Sequence, residues 1–334
     1  MRIFHDPRQR LHAPAQELHN GGFTAYAEKP ERVDAMLAAL GATERPEDHG
    51  LPPILAVHDA GYVQFLQDAP RLWRKAGRAG DAIPYAFPVV GRRPVTLTRI
   101  DALLGRHAFD ATTPLGPHAF EASYWSAQSA LAAAHAVLGG ERAAFALCRP
   151  PGHHAGADYC GGYCHINAAA VAAQAMRDAG LRRVAVLDID YHHGNGTQDI
   201  FWTRSDVFYA SVHADPANDY PFYWGHADEV GEGEGRGATL NLPLPQGTKL
   251  DAFRRAQGQA LNAIARWGAE ALVVSFGADT WKGDPISHFA LETDDYAVLA
   301  RDIAVCGLPT AIVMEGGYAV DALGENVASF LSGF

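Results

Sequence analysis

The ten residues Leu187-Asp188-Ile189-Asp190-Tyr191-His192-His193-Gly194-Asn195-Gly196 restrict what this chain can fold into more than any other stretch. The apolar run from Val184 to Leu187 reads as a buried strand, taken here to extend over Arg183 to Asp190. Residues two apart on an extended chain point to the same face. Asp188, Asp190 and His192 are therefore expected on one side, at the strand's C-terminal end. Three such groups behind an apolar lead-in need a cation or shared protons to neutralise them. A metal site is expected here rather than a helix-capping acid followed by surface histidines.

Other segments alternate in the same way. Ala143 to Leu147 reads as a strand running into Arg149-Pro150-Pro151-Gly152, Ile166 to Ala179 as an Ala-rich helix, and Val207 to His213 as a further strand. Ala252 to Trp267 reads as a helix with Gly268 near its end, and Ala271 to Gly277 as a buried strand. Tyr296 to Cys306 is helical, and Pro309 to Met314 is a last strand before Glu315-Gly316-Gly317-Tyr318. Strands alternating with helices predict an α/β fold, a mostly parallel sheet with helices on both faces. Nearly continuous apolar strands agree with burial on both sides. No repeat and no linker-like composition divides residues 1–334, so one domain is expected. Ligand sites in open parallel sheets form beyond the strand C-termini. His153-His154, Asp188 to Asn195, His213, Asp279 and Tyr318 are all expected at that edge. The stretch from about 75 to 121 is rich in Pro, Gly and Arg with weak periodicity, the texture of a functional loop or of a helix plus loop.

Composition narrows the partners. A hydrophobic content of 48% with 19% charged residues argues against disorder. No apolar run long enough for a membrane span occurs, and the start Met1-Arg2-Ile3-Phe4-His5-Asp6 does not read as a signal peptide. The four cysteines do not make a disulfide scaffold, and Cys160 with Cys164 lacks the second pair a structural zinc site needs. Reduced thiols in a cytoplasm are expected. The formal net charge of −11 disfavours nucleic acid and anionic membrane surfaces and mildly favours cationic substrates.

The chemistry is read from residue types. Asp190, His192 and Asp279 form a three-ligand set with an open position, as in catalytic zinc centres, and the mixed carboxylate–imidazole set also admits Fe(II), Mn(II) or Co(II). Adjacent His153 and His154 suit proton transfer near neutral pH. Asp188 and Asn195 are natural partners for them: a carboxylate raises one imidazole's pKa, an amide far less. A phenol at Tyr318, after two glycines, can donate to a developing oxyanion. Gly231 to Gly237 imitates a phosphate loop but lacks the Lys-Ser/Thr and carries two acids, so it reads as a connector.

Arg149 to His154, Gly161-Gly162-Tyr163-Cys164, Leu187 to Gln198, Gly277-Ala278-Asp279-Thr280 and Glu315 to Tyr318 closely resemble the histone deacetylase family. The resemblance runs from Glu17 to Asn326 and implies an arginase-like α/β fold. It implies zinc on Asp190, His192 and Asp279, His154 as general base and then acid, His153 as electrostatic support, and Tyr318 on the scissile carbonyl. It further implies a structural potassium ion near Asp188, Asp190, His192, Ser211 and the Val212 carbonyl. Within the family, Asp215-Pro216, Tyr220 to Tyr223, Gly225, Asp284 to Ser287 and Glu28-Lys29-Pro30 look most like the bacterial acetylpolyamine amidohydrolases. That likeness implies an entrance and homodimer contact at about 75–121, Tyr163 and Tyr220 flanking the substrate's alkyl chain, and Ile286, Gly162 and Glu17 among the substrate contacts.

Departures accompany the likeness. Of two acids the polyamine branch often places in the entrance loop, Asp101 matches one, but Thr112 stands at the other, with Asp110 two residues away. His165 stands where an aromatic is usual and Ala168 where an asparagine is frequent. The expectation is a zinc-dependent amidohydrolase using metal-activated water on acetylpolyamines or similar small cationic N-acetylated amines. Protein N-acetyl-lysine deacetylation, or hydrolysis of another small amide or ester, is the alternative. A non-catalytic binder would lack one of these groups, and an arginase-like two-manganese enzyme would need a second ligand set.

Overall fold

The computed structural model describes residues 1–89, 93 and 95–334. Among them lie strands β1 (Arg2–Phe4), β2 (Gln16–His19), β3 (Gly22–Ala25), β4 (Ala143–Ala146), β5 (Val184–Asp188), β6 (Val207–Ala214), β7 (Thr239–Leu244), β8 (Ala271–Phe276) and β9 (Thr310–Met314). The helices are α1 (Glu31–Leu40), α2 (Pro52–Leu55), α3 (Ala60–Lys75), α4 (Ile100–Arg106), α5 (Ala119–Leu138), α6 (Ala168–Asp178), α7 (Asn195–Phe201), α8 (Leu250–Trp267), α9 (Thr293–Val305) and α10 (Val320–Leu331). Seven strands form one parallel sheet in the order β1-β4-β9-β8-β5-β6-β7, and β2 with β3 makes a separate hairpin.

Every residue of β4, β5, β6, β8 and β9 is buried, as their Ala-, Val-, Ile- and Leu-rich sequences require of strands covered on both faces. Helices α5 and α6 pack on each other and on β4, β5, β8 and β9. Helix α8 covers β6 and β7, α9 packs on α8 and α10, and α10 packs on α1. In α8 the buried residues Phe253, Ala256, Gln257, Ala260, Leu261 and Ile264 recur at helical spacing, so one stripe faces the sheet. β7 is one of the two edge strands, and Pro243, which has no N–H for a further ladder, is tolerated there.

One expectation needs correction. β5 ends at Asp188, two residues earlier than the apolar pattern suggested. The Asp188 carboxylate accepts the Asp190 N–H at 3.2 Å and the Asp190 carboxylate accepts the His192 N–H at 2.9 Å, so side chains replace the ladder and the chain leaves the extended form. Of the two readings of the stretch 75–121, helix plus loop is the one seen: α4 lies within it, and Ala82 pairs with Leu115 across its base. Residues 90–92 and 94 of the expected entrance loop lie outside the described residues. The segment 231–237 is a short turn-rich connector, as read.

A buried ionic knot ties the N-terminal segment to the sheet. Glu28 meets Arg32 at 2.7 Å and Arg149 at 2.8 Å, and all three side chains are fully buried. Arg32 also donates to the Gly317 and Glu315 carbonyls, and Arg149 to those of Gln9, His12 and Glu28. Removing the shared anion leaves two buried cations uncompensated. Glu28→Gln is expected to destabilise the fold by about 3–5 kcal/mol, read as a lower denaturant midpoint with an unchanged slope.

Candidate active site

Four loops leave the C-terminal ends of β4, β5, β8 and β9 and meet at one place. The loop after β5 brings Asp190 and His192, and the loop after β8 brings Asp279. One ligand atom from each lies within 4.8 Å of the others, and all three residues are buried. His192 Nδ1 is 3.1 Å from Asp279 Oδ2 and 3.3 Å from Asp190 Oδ1. The second oxygens are anchored by backbone: Gly316 N–H donates to Asp190 Oδ2 at 2.8 Å, and Tyr191 N–H to Asp279 Oδ1 at 3.0 Å. A Cβ at Gly316 would lie 2.4 Å from Asp279 Oδ2, so only glycine fits against the two acids. Two carboxylates and an imidazole packed this closely suit a divalent cation with positions left open. Asp188 does not join them. With the strand broken after it, its carboxylate turns to His153 and to the Tyr209 hydroxyl, at 3.1 and 3.2 Å.

The tandem histidines are divided by their partners. His153 Nδ1 faces Asp188, and its Nε2 is 3.8 Å from Asp190. Burial alone lowers this imidazole, but the Asp190 and Asp188 charges outweigh it and raise the pKa to about 10. His154 Nδ1 faces the Asn195 amide oxygen at 2.7 Å. Burial holds His154 well below its usual value, with the neighbouring His153 charge adding to it and the Asn195 hydrogen bond opposing it. The partners thus push the two rings apart, His153 toward its charged form and His154 toward its neutral one. Gly162, at φ +53°, lets the backbone pass His154, because a Cβ there would meet the ring at 2.1 Å.

Tyr318 completes the edge. Asp284 accepts from the Tyr318 and Ala319 N–H groups at 2.7 and 3.2 Å. The Arg32 guanidinium lies 4.9 Å from the Tyr318 ring centre, and Tyr163 packs edge-on at 5.5 Å. Glu315, just before the glycines, accepts from the Gly152 and His153 N–H groups at 2.6 and 3.1 Å and so joins the β9 loop to the β4 loop. His153, Cys164 and Glu315 form a second close, buried group. Its atoms are already spent on hydrogen bonds, Glu315 as described and Cys164 on the Gly162 carbonyl, which makes it a brace.

A cleft of about 460 Å³ leads to these groups, lined by Glu17, Thr112, Gly162, Tyr163, Tyr220 and Ile286, with His154, His192 and Tyr318 also exposed to it. Tyr163 sits in the left-handed region at φ 67°. It is held there by hydrogen bonds from its N–H to Thr113 at 2.9 Å and from the Gly162 N–H to Asp110 at 2.7 Å. Its hydroxyl donates to Glu17 at 3.0 Å. Asp110 also accepts from Tyr220 at 2.7 Å, so both tyrosine walls are fixed from the 75–121 stretch.

Asp101 is not among the cleft residues. It is buried between Arg78 and Arg99, the latter at 2.9 Å, and the two guanidinium groups hold its carboxyl below the usual range against the opposing effect of burial. The sequence pattern showed the acid but not the arginines that fold onto it. Ser211 pairs in register with Asp188, and Val212 follows it, both buried, so the residues expected around potassium are neighbours. His213 belongs to a separate buried pair with His193, ring centres 4.6 Å apart. His165 is buried edge-on to His12, with burial lowering it to about 4, so it fills space as a neutral ring. Ala168 opens α6 behind the Asn167 cap. Glu28, Arg32, Asp110, Asp284 and Glu315 carry roles at or behind the site that single-residue signals did not assign.

A model of the histone deacetylase domain matches residues 26–334. The chain is 48% identical over 335 residues to acetylpolyamine amidohydrolase 1 of Pseudomonas aeruginosa, covering 97% of this chain and 96% of that one. It is 46% identical to the acetylpolyamine amidohydrolase of Mycoplana ramosa, covering 100% and 99%. The crystal structure of acetylpolyamine aminohydrolase from Burkholderia pseudomallei superposes with a TM-score of 0.96 at 44% identity, over 100% of this chain and 98% of that one.

Proposed function

The chain belongs to the histone deacetylase family and is a metal-dependent deacetylase acting on linear amide C–N bonds, and from that premise we propose that its substrates are acetylpolyamines or similar small N-acetylated amines. The observation that carries the chemistry is the unequal pair of histidines beside the three-ligand group: His153 bound to a carboxylate, His154 to an amide.

Asp190, His192 and Asp279 would hold the metal, zinc in this reading, with Fe(II), Mn(II) or Co(II) compatible. When bound, the metal supplies Lewis acidity, polarising the amide carbonyl and acidifying a water. His154, neutral at Nε2, takes the water's proton and returns it to the departing amine. His153, a cation, stabilises the negative charge that develops beside it. Tyr318 donates its O–H to the carbonyl oxygen as that oxygen becomes anionic. Asp188 and Asn195 orient the two imidazoles. A structural potassium ion at Asp188, Ser211 and the Val212 carbonyl is part of the same reading.

Tyr163 and Tyr220 flank an aromatic slot suited to a methylene chain, with Gly162 and Ile286 beside it. Glu17 is the carboxylate among the described cleft residues, and it lies at the outer end of Tyr163. It is the group to meet a distal ammonium. Glu17→Gln is expected to raise KM for N-acetylputrescine about tenfold with a small change in kcat, and to leave an uncharged N-acetylalkylamine unaffected. An equal KM change for both amines would remove Glu17 from cation recognition.

The acetyl-lysine peptide reading keeps one specific support: Asp101 is occupied by Arg78 and Arg99 and supplies no acid at the entrance. The deciding assay is kcat/KM for the zinc-loaded protein on N-acetylputrescine, N-acetylcadaverine and an acetyl-lysine peptide. A preference for the diamines upholds the polyamine reading; a preference for the peptide replaces it. We take the protein to work in the cytoplasm as a homodimer, with exposed Tyr85, Phe87 and Val89 of the 75–121 stretch in the contact. No described helix is long and apolar enough to cross a membrane.

A further inference from the structure

His154 is useful as a base only if the proton it carries at rest sits on Nδ1. The Asn195 oxygen, 2.7 Å from Nδ1, accepts that proton's hydrogen bond and leaves Nε2 with its lone pair. If the Asn195 amide were turned over, its NH2 would face Nδ1, the ring proton would move to Nε2, and the base would be lost. An amide has nearly the same shape in both orientations, so packing alone does not choose between them.

The choice is made on the far side of Asn195. Its Nδ2 donates to the Tyr159 hydroxyl oxygen at 3.3 Å, and the Tyr159 O–H donates to Asp199 at 2.6 Å. A phenol has one proton. Once that proton is committed to a carboxylate, which only accepts, the phenol oxygen can only accept in turn and calls for the NH2 face of the amide. Asp199 is exposed on α7, and its carboxylate accepts the phenol proton. Asn195 and Asp199 are four residues apart in α7, on one face of the helix, which lets a single phenol touch both. The Tyr159 ring packs edge-on to Phe109 at 5.6 Å and lies over Gly156, where a Cβ would approach it to 2.3 Å.

We propose that Tyr159 and Asp199 are positioning residues for deacetylation: they fix the orientation of the Asn195 amide and, through it, the His154 tautomer with a free Nε2. The inference rests on His154 being the base. Neither residue touches the substrate.

Tyr159→Phe keeps the ring and removes the hydroxyl. It is expected to lower kcat on N-acetylputrescine about five- to tenfold, the worth of one net hydrogen bond, with KM within about twofold. Asp199→Ala frees the phenol proton to turn toward the amide oxygen, and is expected to cost at least as much. The decisive comparison uses Asn195→Asp, whose two equivalent oxygens need no orienting. In that background Tyr159→Phe is expected to change kcat less than about twofold. Zinc content and melting temperature are measured on every variant, and if Tyr159→Phe does not fold, Asp199→Ala in the two backgrounds makes the same comparison. A loss of kcat that is equal in both backgrounds, or no loss in the first, overturns the proposal. His154→Ala is run beside them: if it retains turnover, the assignment of the base has failed instead.

Discussion

Tyr318→Phe is expected to lower kcat by about 10²–10³-fold, the usual cost of one oxyanion donor, while metal content and melting temperature stay at the parent values. The substitution removes only the hydroxyl. The ring keeps its contacts with Arg32 and Tyr163, and the backbone on either side of it stays bound to Asp284. Burial pushes the phenol pKa well above its usual value; the Arg32 guanidinium opposes this, and the acids Asp279 and Asp190 add to it. The hydroxyl therefore remains protonated across the working pH range and acts as a donor throughout. KM is expected to change little, since the charge it meets develops only as the carbonyl is attacked. The measurement is steady-state kinetics on N-acetylputrescine with metal analysis on the same sample. Turnover at the parent rate would remove Tyr318 from the mechanism.

The same residues show how far the sequence could be read. Groups that follow directly on an apolar strand, such as Asp190 after β5 and Asp279 after β8, were legible because burial of the strand and polarity of its end are both local features. The tandem histidines were legible for the same reason, and Asp188 and Asn195 as their partners followed from charge type. What escaped were roles created by contacts distant in sequence. Arg32 meets the Gly317 carbonyl across 285 residues, and Glu28 and Arg149 come together across more than a hundred. Asp284 reads as a loop acid until the backbone of Tyr318 folds onto it. Asp101 reads as an available anion until Arg78 and Arg99 close on it. The alternation argument placed Asp188 beside Asp190 and His192, and it failed where aspartate side chains capture backbone N–H groups and end the strand.

Removing the metal is expected to abolish turnover and to weaken the fold, two effects with one cause. One ligand atom from each of Asp190, His192 and Asp279 lies within 4.8 Å of the others, both carboxylates are out of water, and Asp188 stands two residues before the first. Two carboxylates so placed repel each other and lose hydration, and a cation shared between them would relieve both costs. The neighbouring His153 cation faces Asp188 and Asp190, so it offsets part of that charge but cannot leave without exposing them. Dialysis against a chelator should therefore lower the melting temperature as well as end activity. The stabilisation lost is about 4 kcal/mol relative to a sample held at a free metal concentration a thousandfold above Kd. Adding back Zn(II), Fe(II), Mn(II) and Co(II) separately, and following both readouts, tests the ligand set and ranks the metals. Stability that returns without activity would keep the three residues as a metal site and place the catalytic fault elsewhere. A chelated protein that deacetylates at the parent rate would show that the reaction does not pass through this site.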